Sequence, residues 1–228
     1  MSLSFKKCWF EKDIILQCVR WYVAYPLSYR HIEEMMAERG IEVDHSTVNR
    51  WVVKYSPELE KEFRKKKMPV GGSWRVDETY VKIKGKWKYL YRAVDKEGAT
   101  VDFLLKAHRD IKAAKRFFEK AIGSSGIPKK INIDKSDANT AAIDALNNDM
   151  KAKGLPEIKV RQVKYLNNII EQDHRAVKRV VRPMLGFKSF RSAEKTIAGI
   201  ELMHMIRKNQ MANPYGQSSA ELFYGLAN

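Results

Sequence analysis

One run of sequence decides the fold: WRVDETYVKI, from Trp74 to Ile83. Its β-branched and aromatic residues predict a β-strand, and side chains on a strand alternate between two faces. Asp77 then shares a face with Thr79 and Val81, whereas Glu78 lies on the other face. A lone carboxylate on a largely apolar face is costly to bury unless it is paired or binds a metal. Asp77 is therefore the first candidate metal ligand.

Two further acids can meet Asp77. Asp134 ends the apolar run 131–133, and Glu171 lies in the helical stretch 168–175. Sites in α/β sheets gather at strand ends, so we expect the first strand and the strand ending at Asp134 to lie side by side. Mg²⁺ prefers carboxylate, phosphate and water oxygens. The three acids predict a site in which two Mg²⁺ ions, about 4 Å apart, hold a phosphodiester.

The residues leave alternatives open for each acid. Glu78 is the alternative to Asp77 if the strand register differs by one residue. Asp137 is the alternative to Asp134, although it is better placed as a cap for the helix that follows. Glu171 has a non-catalytic alternative, which is an i,i+4 ion pair with Arg175 on the helix surface.

Polar residues flank the acid on the helix. His174 and Lys178 follow Glu171 by three and seven residues, on roughly the same helix face. Lys178 is expected to contact a DNA phosphate beside the metals, whereas His174 either does the same or packs internally. Asn167 and Asn168, at the helix start, either orient substrate or cap the helix.

Composition indicates the partner. The 228 residues include 43 Lys and Arg against 27 Asp and Glu, which gives a net charge of +16. Such a field attracts polyanions, so nucleic acid is expected, with binding to membrane lipid or simple solubility as the alternatives. No stretch approaches the roughly 20 apolar residues of a membrane span, and no signal peptide is recognisable. Cys8 and Cys18 lack a CxxC spacing, so no zinc site or disulfide framework is expected, as in a reducing cytoplasm.

The N-terminal region predicts a helix-turn-helix. Apolar residues recur at spacings of three and four across 10–25, and a second helix is expected within 28–40, capped at its start and ended by glycine. Asp44 or Ser46 caps a third helix over 47–55.

The third helix would enter the DNA major groove by its N-terminal residues. Arg can bind guanine edges and Asn adenine edges. An ordinary three-helix bundle with a polar surface is the alternative. The outward polar residues expected to contact DNA are His45, Ser46, Thr47, Asn49, Arg50 and Lys54.

A different pattern follows a basic, glycine-containing segment. Tight turns separate three strands, and helices then alternate with two further strands. This order is that of an α/β ribonuclease-H-like fold, a mixed sheet flanked by helices. The predicted strands cover 74–83, 86–95, 100–105, 130–134 and 158–163, and the predicted helices cover 111–122, 139–151, 168–181 and 193–209.

These patterns divide the chain into four parts. An all-α helix-turn-helix domain covers 1–65, with a short helix expected at 58–65 after the Ser-Pro pair at 56–57. A linker covers 66–73, and the ribonuclease-H-like catalytic domain covers 74–211. The tail, 212–228, is expected to be surface-bound or loose.

Several strings closely resemble the small bacterial insertion-sequence transposases of the IS-six group. The resemblance covers nearly the whole chain. The strings are LSYR at 27–30, DHSTV at 44–48, WV at 51–52, DETYVK at 77–82, GKWKYLYRAVD at 85–95, NIIEQDH at 168–174, LGFKS at 185–189 and GIE at 199–201.

The resemblance implies a DDE transposase, with Asp77, Asp134 and Glu171 binding two Mg²⁺ ions, which Mn²⁺ can replace, and Lys178 as the basic residue after the glutamate. It also implies that the N-terminal domain binds terminal inverted repeats, and that exposed 3′-hydroxyls are joined to target DNA. Two DNA ends imply at least a homodimer, acting at the nucleoid in the bacterial cytoplasm. The interval between Asp134 and Glu171 holds 36 residues, slightly more than the family usually has, and from Asp137 it holds 33.

Two other functions are weighed against this one. A non-catalytic DNA-binding regulator would use only 1–65 and would have no need of the acids. A structure-specific nuclease on the same fold would cleave without joining, and it leaves the helix-turn-helix less well explained.

Overall fold

The computed structural model describes residues 3–5, 9–213 and 215–228, so Cys8 lies outside the described residues. The chain forms two compact units. The helical unit consists of Met1–Met68 with Ala176–Asn228, and the sheet unit consists of Pro69–Arg175. Across the described ranges, no helix is both long and apolar enough to cross a membrane.

The predicted N-terminal helices and their caps are present. The Ser28 hydroxyl accepts from the His31 N–H at 3.0 Å, and Gly40 follows the second helix with φ +71°. Asp44, not Ser46, caps the third helix, because its carboxylate accepts from the Ser46 N–H at 2.7 Å. The helices are α1 (Lys12–Ala24), α2 (Tyr29–Ala37) and α3 (His45–Lys66).

Helix α3 is longer than predicted. It runs through Pro57, where a break was expected, and includes the segment predicted as a separate short helix. A proline inside a helix costs about 3 kcal/mol or more. Leu59 and Phe63, beyond the proline, are completely buried, and burial of such side chains returns about 1.5–3 kcal/mol each. The free energy gained by burying Leu59 and Phe63 therefore offsets the cost of Pro57 inside the helix.

The grouping of the C-terminal part with the N-terminal helices also differs from the predicted boundaries. Helix α7 (Phe190–Arg207) packs on α1 and α3, and every residue from Thr196 to Met203 is buried. A helix that is buried all round needs neighbours on every side. The sequence pattern alone does not say which unit supplies them.

Of the two expectations for the tail, surface-bound or loose, the structure agrees with the first. The tail contains helix α8 (Ser219–Tyr224), whose N-terminus has a capping box between Ser218 and Glu221. Leu222 and Phe223 are buried. Helix α8 is therefore part of the core of the helical unit, because a short helix with an apolar face becomes stable when it packs. Residues 215–218, before it, are exposed.

Three helices meet at Gly199. A Cβ at this position would lie 2.6 Å from the Ser56 Oγ of α3 and 2.7 Å from the Val23 Cγ1 of α1. Such distances are too short for real side chains, so the glycine permits the close approach of α7 to both neighbours.

Gly199→Ala is expected to lower the free energy of unfolding by about 1–3 kcal/mol, because the added methyl group overpacks a buried contact. This loss occurs although alanine is the better helix former by about 1 kcal/mol. Urea unfolding followed by circular dichroism measures it. Gly123→Ala is the control, because a Cβ there meets nothing within 4 Å. Equal stabilities of the two variants would contradict the packing argument.

The sheet unit confirms the predicted mixed sheet. Its strand order is β3-β2-β1-β4-β5. β1 pairs antiparallel with β2 and parallel with β4, while β2–β3 is antiparallel and β4–β5 parallel. This is the ribonuclease-H-like arrangement expected from the sequence. The strands are β1 (Ser73–Ile83), β2 (Lys86–Val94), β3 (Thr100–Lys106), β4 (Lys130–Asn132) and β5 (Lys159–Arg161).

The helices of the sheet unit are α4 (Ile111–Ser125) and α5 (Asp137–Ala152), and α6 (Asn168–Val181) begins there. Apolar side chains of the central strands form one core with α4 and α5, as the alternation of the strands predicts. The neighbouring positions Arg75, Thr79 and Arg92 are buried and polar. The sheet face that carries Asp77 therefore holds buried polar and charged side chains.

Candidate metal centre

Strand register brings the first two predicted acids together. In the parallel pair β1–β4, Arg75 lies opposite Asn132. Asp77 follows Arg75 by two residues, and Asp134 follows Asn132 by two residues. Carboxylate oxygens of Asp77, Glu78 and Asp134 lie within 4.8 Å of one another. We call these three residues the acid cluster.

Glu78 joins Asp77 in the cluster rather than replacing it. Its carboxylate accepts from the Asn139 Nδ2 at 3.0 Å and from the Arg109 Nη2 at 3.2 Å. Burial raises the pKa of Glu78, and the charges of Asp77 and Asp134 add to this effect, while Arg109 and Asn139 oppose it. The same guanidinium nitrogen lies 3.3 Å from the Asp134 Oδ2. Arg109 therefore bridges two members of the cluster.

Asp137, the alternative to Asp134, lies outside the cluster. It is exposed in the first turn of α5. The predicted cap is also wrong at this position, because the Ser136 side chain, one residue earlier, caps the helix. Asp134 is the acid that the β1–β4 register brings to Asp77.

The cluster fits a divalent cation. The Asp134 Oδ1 is buried, and no described residue donates a hydrogen bond to it. A buried carboxylate oxygen without a partner is costly. Clustered carboxylates also repel one another unless a cation lies between them. Hard oxygen donors are the ligands that Mg²⁺ and Mn²⁺ take.

Helix α6 reaches Asp77 through His174. The His174 Nε2 lies 3.1 Å from the Asp77 Oδ2, and the Arg92 Nη1 lies 3.3 Å from the His174 Nδ1. A guanidinium only donates, so Nδ1 accepts and the Nε2–H donates to Asp77. The Arg92 Nη2 also pairs with the Asp173 Oδ2 at 2.6 Å. This buried network orients Asp77.

Glu171, the third predicted acid, is exposed on α6 and is not a member of the cluster. It lies one turn before His174, and residues three apart are neighbours on a helix surface. The alternative ion pair with Arg175 is not formed within the described part of the chain. A hydrogen bond of 2.6 Å from Asn132 to Asn167 ties the segment before α6 to β4. Asn167 is thus a structural residue, and the role of Glu171 stays a prediction.

Sequence reasoning missed the residues that orient the acids. The turn at Lys84-Gly85 was predicted, and counting back along both strands from it places Arg92 opposite Asp77. That signal could have found Arg92. Arg109 and Asn139 arrive from other parts of the chain, and nothing in the sequence pattern links them to Glu78.

The predicted DNA-contacting residues lie at the start of α3. His45 pairs with the Glu33 Oε2 at 3.1 Å, and the Arg50 Nη2 lies 2.6 Å from the Thr47 Oγ1. Lys54 donates to the Tyr55 hydroxyl at 3.1 Å. The exposed members are His45, Ser46, Arg50 and Lys54, while Thr47, Asn49 and, on α6, Lys178 are half-buried. Their contacts with DNA stay predictions.

Comparison with known proteins places the chain in a family. A family model described as a DDE domain matches residues 71–210. The transposase for insertion sequence-like element IS431mec of Staphylococcus aureus (strain Mu50) is 43% identical over 199 residues, which cover 87% of this chain and 86% of that protein. The transposase for insertion sequence element IS257 in transposon Tn4003 of Staphylococcus aureus matches with the same identity and coverage.

Among solved structures, the HTLV-2 integrase catalytic core domain in complex with magnesium aligns with a TM-score of 0.47 and 19% identity, over 68% of this chain and 97% of that one. The family model and the close relatives agree with the residue strings identified in the sequence. The chain therefore belongs to the DDE transposase family, in the IS-six group of bacterial insertion sequences.

Proposed function

We propose that this transposase binds the terminal inverted repeats of its insertion sequence, cleaves DNA to expose 3′-hydroxyls and joins them to target DNA. The observation that carries the proposal is the acid cluster, with a buried Asp134 oxygen to which no described residue donates a hydrogen bond. A net charge of +16 supports a polyanionic substrate. The bacterial relatives support action at the nucleoid, in the cytoplasm.

Asp77 and Asp134 would hold two Mg²⁺ ions, and Glu171 would complete the set from α6. Bound cations would supply charge neutralisation at the phosphodiester and a nucleophile activated at neutral pH. His174 fixes the orientation of Asp77, and Arg109 holds Glu78 and Asp134 close together. A site oriented in this way has less to rearrange when substrate binds.

The second part of the proposal is assembly. Two transposon ends and a target must be held together, and this proximity lowers the entropic cost of joining. Each end needs an acid cluster, so at least a homodimer is proposed.

Strand transfer tests the function. A labelled terminal-repeat duplex with an exposed 3′-hydroxyl is incubated with the full chain and a target plasmid, with Mg²⁺, Mn²⁺ or chelator. Joined products with either metal and none with chelator are expected. Cleavage without joining would make the chain a nuclease. Binding of the repeat with neither reaction would make it a regulator.

Arg50→Ala is expected to weaken binding to the terminal repeat by about 1–3 kcal/mol, because a guanidinium that contacts a base contributes about that much. Competition with unrelated duplex measures the specificity. Lys61→Ala, further along α3, is the control and should leave the preference for the repeat unchanged. An unchanged preference for the repeat in Arg50→Ala would exclude Arg50 from sequence readout.

A further inference from the structure

The hairpin of β1 and β2 carries an exposed aromatic surface that the acid cluster does not use. The register pairs Tyr80 with Tyr89 and Lys82 with Trp87, so these four side chains share one face, which we call the hairpin face. The Tyr80 ring centroid lies 5.5 Å from that of Tyr89 and 6.4 Å from that of Trp87. Tyr80 is 50% exposed and Trp87 is 61% exposed. Adjoining aromatic rings left in solvent mark an interaction site.

The charged side chains of the hairpin beyond Glu78 are all basic. The sequence from Thr79 to Tyr91 contains four lysines and no acid. Lys82, Lys84 and Lys86 are exposed, whereas the Lys88 Nζ donates to a backbone carbonyl. A second copy of a chain with a net charge of +16 would be repelled by this surface. A polyanion with flat apolar groups is complementary to it.

The hairpin is a defined support for these side chains. Lys84 and Gly85 form its two-residue turn with φ of +49° and +76°. Two positive φ values give a turn whose twist matches that of the flanking strands. Val81 and Ile83, which point to the opposite face, are buried. The rings are therefore displayed on an anchored element.

The hairpin face continues from the acid cluster. Alternation places Glu78, Tyr80 and Lys82 on the same side of β1. At about 3.3 Å per residue, Tyr80 lies about 7 Å and Lys82 about 13 Å along the strand from Glu78. A DNA strand held at the cluster can extend over the rings.

We propose that the hairpin face binds unpaired nucleotides of the DNA strand that flanks the reacting phosphodiester. Bases stack on Trp87 and Tyr80, and the exposed lysines contact phosphates. Stacking is tolerant of sequence, because every base has a π-face, and it needs bases that have left the duplex. This inference rests on the proposed function, because it assigns a further contact to the same DNA substrate.

The test uses the full chain without metal, and it compares a fluorescent duplex that has a single-stranded tail with the same duplex made blunt. Wild type is expected to prefer the tailed probe. Trp87→Ala should lose about tenfold or more in affinity for the tailed probe and keep its affinity for the blunt one. Trp87→Phe should retain most of the preference. Lys82→Ala should reduce the salt dependence of binding by about one phosphate contact.

Tyr215→Ala removes an aromatic residue that is 86% exposed in the helical unit, and it is the control. Unchanged discrimination between the probes by Trp87→Ala would overturn the proposal. A change in oligomeric state on sedimentation, with discrimination intact, would instead make the face a protein interface and would also overturn it.

Strand transfer distinguishes this inference from the proposed function. If wild type joins DNA while Trp87→Ala binds tailed DNA normally, only the proposed role of the hairpin face is contradicted. If wild type prefers the tailed probe in a way that depends on Trp87 but joins no DNA, the role of the hairpin face is supported and the proposed transposition reaction is contradicted.

Discussion

Asp134→Asn is expected to abolish joining of terminal-repeat DNA, with a loss of about 10³-fold or more, whereas Asp137→Asn keeps it. The substitution preserves the size of the side chain and removes the charge that would hold a cation. A bound cation contributes several kcal/mol of charge stabilisation in the transition state, which corresponds to a loss of this size. Asp77→Asn should show the same loss.

The position of the two aspartates explains the contrast. Asp134 lies in the acid cluster and has a buried oxygen without a described partner. Asp137 is three residues further along and is exposed on α5. Circular dichroism and binding of the repeat show that each variant folds. Joining that survives Asp134→Asn and is lost in Asp137→Asn would move the second metal ligand to α5.

The same assay separates the two candidates for the third acid. Glu171→Gln is expected to abolish joining, because the resemblance implies that Glu171 is the third metal ligand. Glu78→Gln should keep much of the activity, because Glu78 is engaged by Arg109 and Asn139 on the side of the sheet opposite His174. The reverse result would make Glu78 the third ligand.

Local patterns predicted most of the sheet unit, including the strand pairings on both sides of Asp77. The hairpin turn at Lys84-Gly85 fixes the β1–β2 register, and the β1–β4 pairing follows from the order of elements. The hairpin turn is a short-range signal, and the β1–β4 pairing follows a general rule of topology.

Long-range packing explains what the sequence did not predict. Pro57 lies inside a continuous helix because residues beyond it are buried against other helices. Helix α8 is stable for the same reason. Arg109 and Asn139 come to Glu78 from distant parts of the chain, so periodicity carries no signal for them. The exposed position of Glu171 also depends on tertiary placement of α6, which propensity does not determine.

Arg92→Met is expected to lower the free energy of unfolding of the sheet unit by about 3–5 kcal/mol. Arg92 is completely buried, and its partner Asp173 is 8% exposed, with 2.6 Å between the Nη2 and the Oδ2. Removing one member of a buried ion pair leaves the other charge in a low-dielectric environment, which is the costly part of the change. Urea unfolding of the variant measures this loss.

Lys115→Met is the matched control, because Lys115 and Asp149 form a pair that is 36% and 56% exposed, at 2.9 Å. Ion pairs in solvent contribute little to stability, so a much smaller loss is expected for this variant. Equal losses in the two variants would contradict the assignment of Arg92–Asp173 as a buried charged pair.

The double variant Arg92→Met/Asp173→Leu separates stability from function. Replacing both members of a buried pair by apolar residues is often neutral, so much of the lost stability should return. Joining should not return, because the His174 Nδ1 has lost the donor that fixes the Nε2–H on Asp77. His174→Gln in the wild-type background should lower joining with little change in stability. If the stable double variant joined DNA as well as wild type, the network would support the fold and would have no role in orienting Asp77.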